Sequence, residues 1–117
     1  MNAASSFGLP QATLDKLNSV FAKHGALATV LIYGSRVKGN YRTGSDIDLT
    51  IKGSEISFAE FMQIINQIDD LMLPYTVDLS QYKQLNNKEL IEHIDRVGVE
   101  IYANNSKQIT AVDKSLA

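Results

Sequence analysis

Two aspartates separated by one residue are the part of this sequence best suited to chemistry. Asp46 and Asp48 flank Ile47 in an alternating polar and apolar segment, and residues i and i+2 of a strand point to the same face. Their Cα atoms would then lie about 6.5–7 Å apart, and two carboxylates this close repel each other unless a cation lies between them. Mg²⁺ takes oxygen ligands and is bound together with nucleotide phosphates, so the pair predicts a magnesium site.

A Gly-Ser turn precedes these aspartates by ten residues. Gly34 ends an apolar run, and Ser35 begins a short segment that contains Arg36 and Lys38. Backbone N–H groups and a hydroxyl in such a turn can bind phosphate oxygens. A guanidinium can pair with phosphate through two hydrogen bonds, whereas an ammonium acts as a point charge. Together with the aspartates, this turn predicts a site for a metal–nucleoside triphosphate complex.

A third carboxylate lies on a later predicted strand, at residues 75–79. Alternation along that strand places Asp78 on the face opposite the apolar side chains. If this strand pairs beside the strand at residues 46–51, Asp78 completes a trio of acids on one face. Three carboxylates suit a two-metal phosphoryl- or nucleotidyl-transfer site, with ions about 3.5–4 Å apart. Asp46 and Asp48 are then the shared ligands, and Asp78 binds the nucleophile-side ion or accepts the proton.

Composition limits the classes of protein that this chain can belong to. Its 117 residues fit one domain, and 44% hydrophobic with 21% charged residues is ordinary for a globular protein. The net charge of −2 argues against a general nucleic-acid binder, and the absence of cysteine excludes thiol catalysis and disulfides. We see neither a secretory leader nor an apolar run long enough for a bilayer, so a cytoplasmic protein is expected.

The apolar pattern predicts the elements that position these residues. The order is a helix from Pro10 to Gly25, strands at 27–33 and 46–51, a helix at 57–71, a strand at 75–79, a helix at 87–97 and a strand at 99–103. This order predicts an α/β or α+β fold, with helices packed on a mixed sheet of about four strands. Residues 1–9 are expected to be a flexible N-terminus, residues 10–103 the domain, and residues 104–117 a polar tail.

The spacing of these motifs resembles the active-site signature of the polymerase-β-type nucleotidyltransferase superfamily. The resemblance rests on Gly34-Ser35, ten intervening residues, Asp46-Ile47-Asp48 and the later Asp78. The stretches 33–39 and 45–49, with the helix-to-strand junction at 96–102, are similar to the minimal nucleotidyltransferases of bacteria and archaea. The resemblance spans about residues 10–103.

This resemblance implies a polymerase-β-like nucleotidyltransferase fold, two Mg²⁺ ions and ATP as substrate. The family's roles are carried over to seven positions of this sequence. The implied catalytic metal ligands are Asp46, Asp48 and Asp78, and the implied nucleotide- and phosphate-binding residues are Gly34, Ser35, Arg36 and Lys38.

The resemblance also implies a partner, because little of the chain is left to form a domain for the acceptor substrate. Minimal nucleotidyltransferases are commonly encoded beside a helical HEPN-domain RNase toxin. The implied role is that of an antitoxin that transfers AMP from ATP to a tyrosine of that toxin. Neither a nucleic acid nor a membrane is an expected direct partner.

Two other functions are compatible with the sequence. The chain could neutralise its partner as a non-catalytic binding module, although binding alone does not require three clustered carboxylates. It could instead be a nucleotidyltransferase for a small molecule, which the missing acceptor domain disfavours. Replacement of Asp48 discriminates between catalysis and binding, because only catalysis depends on that carboxylate.

Overall fold

The structure, a computed structural model, describes residues 7–42 and 44–104. Within them the chain forms four strands and four α-helices. The elements in chain order are α1 (Gln11–Phe21), β1 (Thr29–Tyr33), α2 (Ser35–Lys38), β2 (Ile47–Lys52), α3 (Phe58–Asp69), β3 (Val77–Gln81), α4 (Lys88–Val97) and β4 (Val99–Ala103), with a 3₁₀ turn at Tyr82–Gln84.

The four strands form one mixed sheet in the order β3–β2–β1–β4. Strand β1 runs antiparallel to both β2 and β4, whereas β2 runs parallel to β3. The parallel pair needs a crossover connection, which α3 provides between the two strands. This topology confirms the predicted α+β fold with a mixed sheet of four strands.

The hydrophobic core lies on one face of the sheet, under α1 and α3. The buried side chains of β1 and β2 on this face are Val30, Ile32, Ile47, Leu49 and Ile51. Leu17 and Phe21 of α1 and Ile64 of α3 are fully buried against them. The core therefore fixes the alternation of β2, because its apolar residues can only face these helices.

Helix α4 covers part of the opposite face. Its Ile94 is buried, and the backbone of Gly98 at the end of the helix lies close to the Leu31 side chain. At Asp46 and Asp78, which are exposed, the same face is open to solvent. Among the described residues, no helix has both the length and the apolar character that a bilayer span requires.

The predicted domain boundaries need one correction. From the sequence we expect Leu9 in a flexible N-terminus, but its side chain is fully buried in the core, and Phe7 packs against the same cluster. An isolated apolar residue before Pro10 has no periodic pattern from which its burial could be inferred. The other residues of that predicted segment, 1–6, and residues 105–117 of the predicted tail lie outside the described residues.

Strand β3 is shifted by two residues from its predicted range of 75–79. It begins at Val77 and continues to Gln81, because Ser80 and Gln81 pair in register with Thr50 and Ile51 of β2. A shift of two residues preserves the alternation of a strand. Asp78 therefore still lies on the predicted face, opposite the core.

Removing the Leu9 side chain tests the corrected boundary. We expect Leu9→Ala to lower the free energy of unfolding by about 2–5 kcal/mol, because it leaves a cavity in the core. Met72→Ala is the matched control, since Met72 is 84% exposed, and its effect should stay within about 0.5 kcal/mol. Urea unfolding of both variants measures the difference, and equal values would show that Leu9 is not part of the core.

Candidate active site

The sheet register places two of the predicted acids side by side. Asp48 on β2 is paired with Asp78 on the parallel strand β3 and with Tyr33 on the antiparallel strand β1. Residues paired in register share a face, and neighbouring strands lie about 4.8 Å apart. Asp46 lies two residues before Asp48 and one residue before β2, and its side chain is exposed. The structure thus brings the three acids to one end of the open face.

The Asp48 carboxylate is repelled by the other two acids. Burial raises the pKa of the Asp48 carboxyl, and the negative charges of Asp78 and Asp46 raise it further, while the guanidinium of Arg36 lowers it in part. Within the described part of the chain, none of the three acids forms an ion pair. Among the described residues their charge is thus only partly offset, by Arg36, and a bound cation would neutralise the remainder.

The raised pKa of Asp48 has a consequence for stability. Its protonated form favours the folded chain, so this contribution to stability is complete below the ordinary pKa of 3.8 and is lost as the pH rises through the raised value. At neutral pH the ionised Asp48 carboxylate therefore costs the fold some stability, and a bound divalent cation would offset this cost.

Gly34 forms the turn against which Asp48 lies. Its φ of 84° and ψ of −154° belong to a region that is essentially restricted to glycine. A β-carbon at this position would collide with Oδ2 of Asp48. The carbonyl oxygen of Gly34 accepts hydrogen bonds from the backbone N–H groups of Val37 and Lys38, at 3.2 and 3.1 Å, at the start of α2. Glycine is thus required both for the turn and for the space that the carboxylate occupies.

The predicted phosphate-binding residues differ in what they can offer. The Gly34 N–H already donates to Nε2 of His93 at 3.1 Å, so in this structure Gly34 shapes the turn and does not present its N–H. The hydroxyl of Ser35 makes no hydrogen bond within residues 7–42 and 44–104, and Lys38 is exposed. Ser35 and Lys38 are therefore the two members of this set that remain available for phosphate.

Arg36 does not have the position that we expect from the sequence. Its side chain is only 4% exposed. Nε and Nη2 both donate to the carbonyl oxygen of Ser45, at 3.2 and 2.8 Å, and Nη1 donates to that of Phe7 at 3.0 Å. The guanidinium carbon also lies 5.3 Å from the ring centre of Tyr41 and 5.1 Å from that of Tyr75.

These contacts give Arg36 a role in the fold and disfavour the predicted phosphate-binding role, which stays a prediction. A guanidinium that donates to backbone carbonyls and lies between two aromatic rings is held in place by the fold. Because Ser45 directly precedes Asp46, the paired hydrogen bonds fix the backbone from which the first acid extends. The buried Arg36 side chain therefore holds in place the backbone that leads into the acid cluster.

The chemistry of the site suits an ion that arrives with a nucleotide. Within the described residues, no group of three His, Cys, Asp or Glu side chains is gathered closely enough to bind a metal by itself. Mg²⁺ needs no such cage, since it is usually bound by one or two carboxylates together with substrate phosphates and water. The oxygen ligands and unpaired charge of Asp46, Asp48 and Asp78 fit this mode of binding.

Two residues at the site are missed by our sequence interpretation. Tyr33 is paired with Asp48. Burial raises the pKa of its hydroxyl, the Ser80 side chain offsets this in part, and the charges of Asp48 and Asp78 add to the increase. His93 of α4, to which the sequence analysis assigns no role, accepts a hydrogen bond from the Gly34 N–H. The spacing of three residues between Leu90 and His93 places His93 on the apolar stripe of α4, and this is the sequence signal that indicates its contact with the sheet.

Comparison with known proteins identifies the family. The model of the family "Polymerase beta, Nucleotidyltransferase" matches residues 15–107, and the chain belongs to this family. A search of curated proteins found no significant match.

Several solved structures share the fold. A toxin–antitoxin complex with AMP-PNP has a TM-score of 0.61 at 14% identity, covering 88% of this chain and 83% of that one. An MNT antitoxin with the tri-AMPylated HEPN toxin of Shewanella oneidensis has a TM-score of 0.56 at 13% identity, with coverages of 91% and 82%. A protein of Sulfolobus solfataricus assigned as a nucleotidyltransferase has a TM-score of 0.53 at 17% identity, with coverages of 81% and 80%.

Two glycine substitutions test the contact between Gly34 and Asp48. Gly34 and Gly39 both have positive φ, but only at Gly34 would a β-carbon meet the carboxylate; at Gly39 it meets nothing within 4 Å. We expect Gly34→Ala to weaken binding of Mg²⁺·AMP-PNP about tenfold or more, a loss of about 1.4 kcal/mol. Gly39→Ala should bind as the wild type does. Calorimetric titration gives both affinities, and equal losses would mean that backbone strain alone is responsible.

The two basic residues of α2 should differ in how much they contribute to the stability of the fold. Arg36→Lys is expected to lower the free energy of unfolding by about 1–3 kcal/mol, because buried carbonyl oxygens lose their donors. The exposed Lys38→Gln should change it by less than about 0.5 kcal/mol. Urea unfolding of both variants measures this, and an Arg36→Lys protein as stable as the wild type would contradict the assignment.

Proposed function

We propose that this chain is a Mg²⁺-dependent nucleotidyltransferase that transfers AMP from ATP to a hydroxyl group. The observation that carries the proposal is the pairing of Asp48 with Asp78 on adjacent strands, beside the turn at Gly34. Membership of the nucleotidyltransferase family supports the reaction class. ATP as the donor is supported by the toxin–antitoxin complex of similar fold that contains AMP-PNP.

The three acids have different proposed roles in the reaction. Asp46 and Asp48 would hold the divalent ions, which supply charge neutralisation for the triphosphate and for the attacking hydroxyl. Asp78 lies on the edge strand of the sheet and is exposed, so an acceptor can approach it from solvent. We assign to Asp78 the nucleophile side of the site, where it binds the second ion or accepts the hydroxyl proton.

The remaining residues position the nucleotide. Ser35 and Lys38 lie next to the Gly34 turn and are the proposed contacts of the triphosphate. In the reaction, the acceptor oxygen forms a bond to the α-phosphorus while the bond from that phosphorus to the bridging oxygen breaks. Pyrophosphate leaves, and the hydroxyl proton is lost to a carboxylate. Positioning and charge neutralisation account for most of the rate of such transfers.

The proposed acceptor is a tyrosine of a co-encoded HEPN-domain toxin, so that the chain acts as its antitoxin in the cytoplasm. Fold similarity to an MNT antitoxin bound to a tri-AMPylated HEPN toxin supports this partner. Asp78 is exposed on the edge strand of the sheet, where a partner protein could bring its own hydroxyl group.

Co-expression with the HEPN partner tests the proposed function. The partner's intact mass should increase by one or more adenylate units with the wild-type chain and remain unchanged with Asp48→Ala, because a metal ligand is lost. Asp69→Ala is the matched control, since it removes an exposed carboxylate from the end of α3 and should leave the modification intact. An unmodified partner that is neutralised equally by all three chains would overturn the proposal and favour a non-catalytic antitoxin.

A further inference from the structure

A histidine from α4 is joined to the Gly34 turn although the two residues are 59 positions apart in the sequence. The backbone N–H of Gly34 donates to Nε2 of His93 at 3.1 Å. The imidazole also meets the ring of Tyr33 edge-on, with ring centres 6.1 Å apart and planes at 76°. His93 thus contacts both of the residues at which β1 ends and the turn begins.

The direction of this hydrogen bond defines the chemical form of the imidazole. A backbone N–H can only donate, so Nε2 must carry a free lone pair, and the proton of the neutral ring is then on Nδ1. The surroundings act in the same direction: burial lowers the pKa of His93, and the positive charges of Lys38 and Arg96 lower it further.

The turn held by His93 is also the surface against which Asp48 lies. Because a β-carbon on Gly34 would collide with that carboxylate, even a small displacement of the turn changes the space available to Asp48. Ser35 follows directly in the chain, so the same displacement moves its hydroxyl. One hydrogen bond therefore controls the relative positions of a carboxylate and a proposed phosphate contact.

We propose that His93 is a positioning residue of the nucleotide site, whose neutral imidazole holds the Gly34 N–H and thereby fixes the turn between Asp48 and Ser35. Its importance for nucleotide binding rests on the proposed function, whereas the hydrogen bond itself does not. The first experiment is accordingly made without nucleotide.

Nitrogen-15 NMR of the imidazole rings in the wild-type chain reads the tautomer of His93 directly. At neutral pH we expect the neutral Nδ1–H form and a slowly exchanging Gly34 amide. Substitution should abolish the protection of that amide in His93→Ala and restore most of it in His93→Gln, which offers a side-chain carbonyl oxygen as acceptor. An Nε2–H tautomer, or a Gly34 amide that exchanges equally in all forms, would overturn the proposal.

Titration with Mg²⁺·AMP-PNP then measures the consequence for the site. His93→Ala should bind the nucleotide about five- to tenfold more weakly, the effect of one lost hydrogen bond, and His93→Gln should recover most of the affinity. Glu92→Ala is the control on the same helix, since Glu92 is 79% exposed, and it should bind as the wild type does. Wild-type affinity in His93→Ala would refute the positioning role.

The two experiments keep the proposals apart. If the NMR result holds but the wild type does not bind Mg²⁺·AMP-PNP, the proposed function fails while the hydrogen bond stands, and the positioning role falls with the function. If the wild type binds the nucleotide but His93 has the wrong tautomer, only the positioning role is overturned.

Discussion

The apolar core on one face of β2 is the constraint on which the candidate site depends. The core forces the apolar residues of β2 to one face, so its acids must lie on the other. Parallel pairing with β3 then adds Asp78 at the level of Asp48. Burial and the neighbouring charges raise the pKa of Asp48, so its ionised form costs the fold some stability at neutral pH. Such a cost is typical of functional sites, where local stability is sacrificed for chemistry.

Two supports keep this arrangement in place from opposite sides. On one side, Arg36 binds the carbonyl of Ser45 with two donors and holds the chain just before Asp46. On the other side, Nε2 of His93 accepts a hydrogen bond from the backbone N–H of Gly34. The Asp48 carboxylate lies against this glycine. Both supports are hydrogen bonds made by side chains that are buried or partly buried, so each is expected to rigidify the site. Rigidity matters because catalysis of nucleotidyl transfer relies on positioning.

The sequence predicts the elements that have their own periodicity and the motif that has its own spacing. Alternation is sufficient to place Asp48 and Asp78 on one face, even though the bounds of β3 are displaced by two residues. Tertiary contacts account for what is missed. Arg36 has the composition of a phosphate ligand, yet its burial depends on carbonyl groups near residues 7 and 45 that no local pattern identifies. Likewise, the role of His93 requires α4 to fold back over the end of β1.

The most direct test of this account is the free energy of unfolding at neutral pH, measured by urea for the wild type and Asp48→Asn, with and without Mg²⁺·AMP-PNP. Without ligand, Asp48→Asn should be more stable by about 0.5–2 kcal/mol, because an unfavourably placed, partly buried charge is removed. With ligand, the wild type should gain stability and the variant should gain little, because a ligand that binds only the folded state stabilises it by mass action. An Asp48→Asn protein that is less stable than the wild type without ligand would contradict the claim that the Asp48 charge is unfavourable beside the other two acids. A variant that the ligand stabilises as much as it stabilises the wild type would contradict the claim that these carboxylates bind a metal–nucleotide complex.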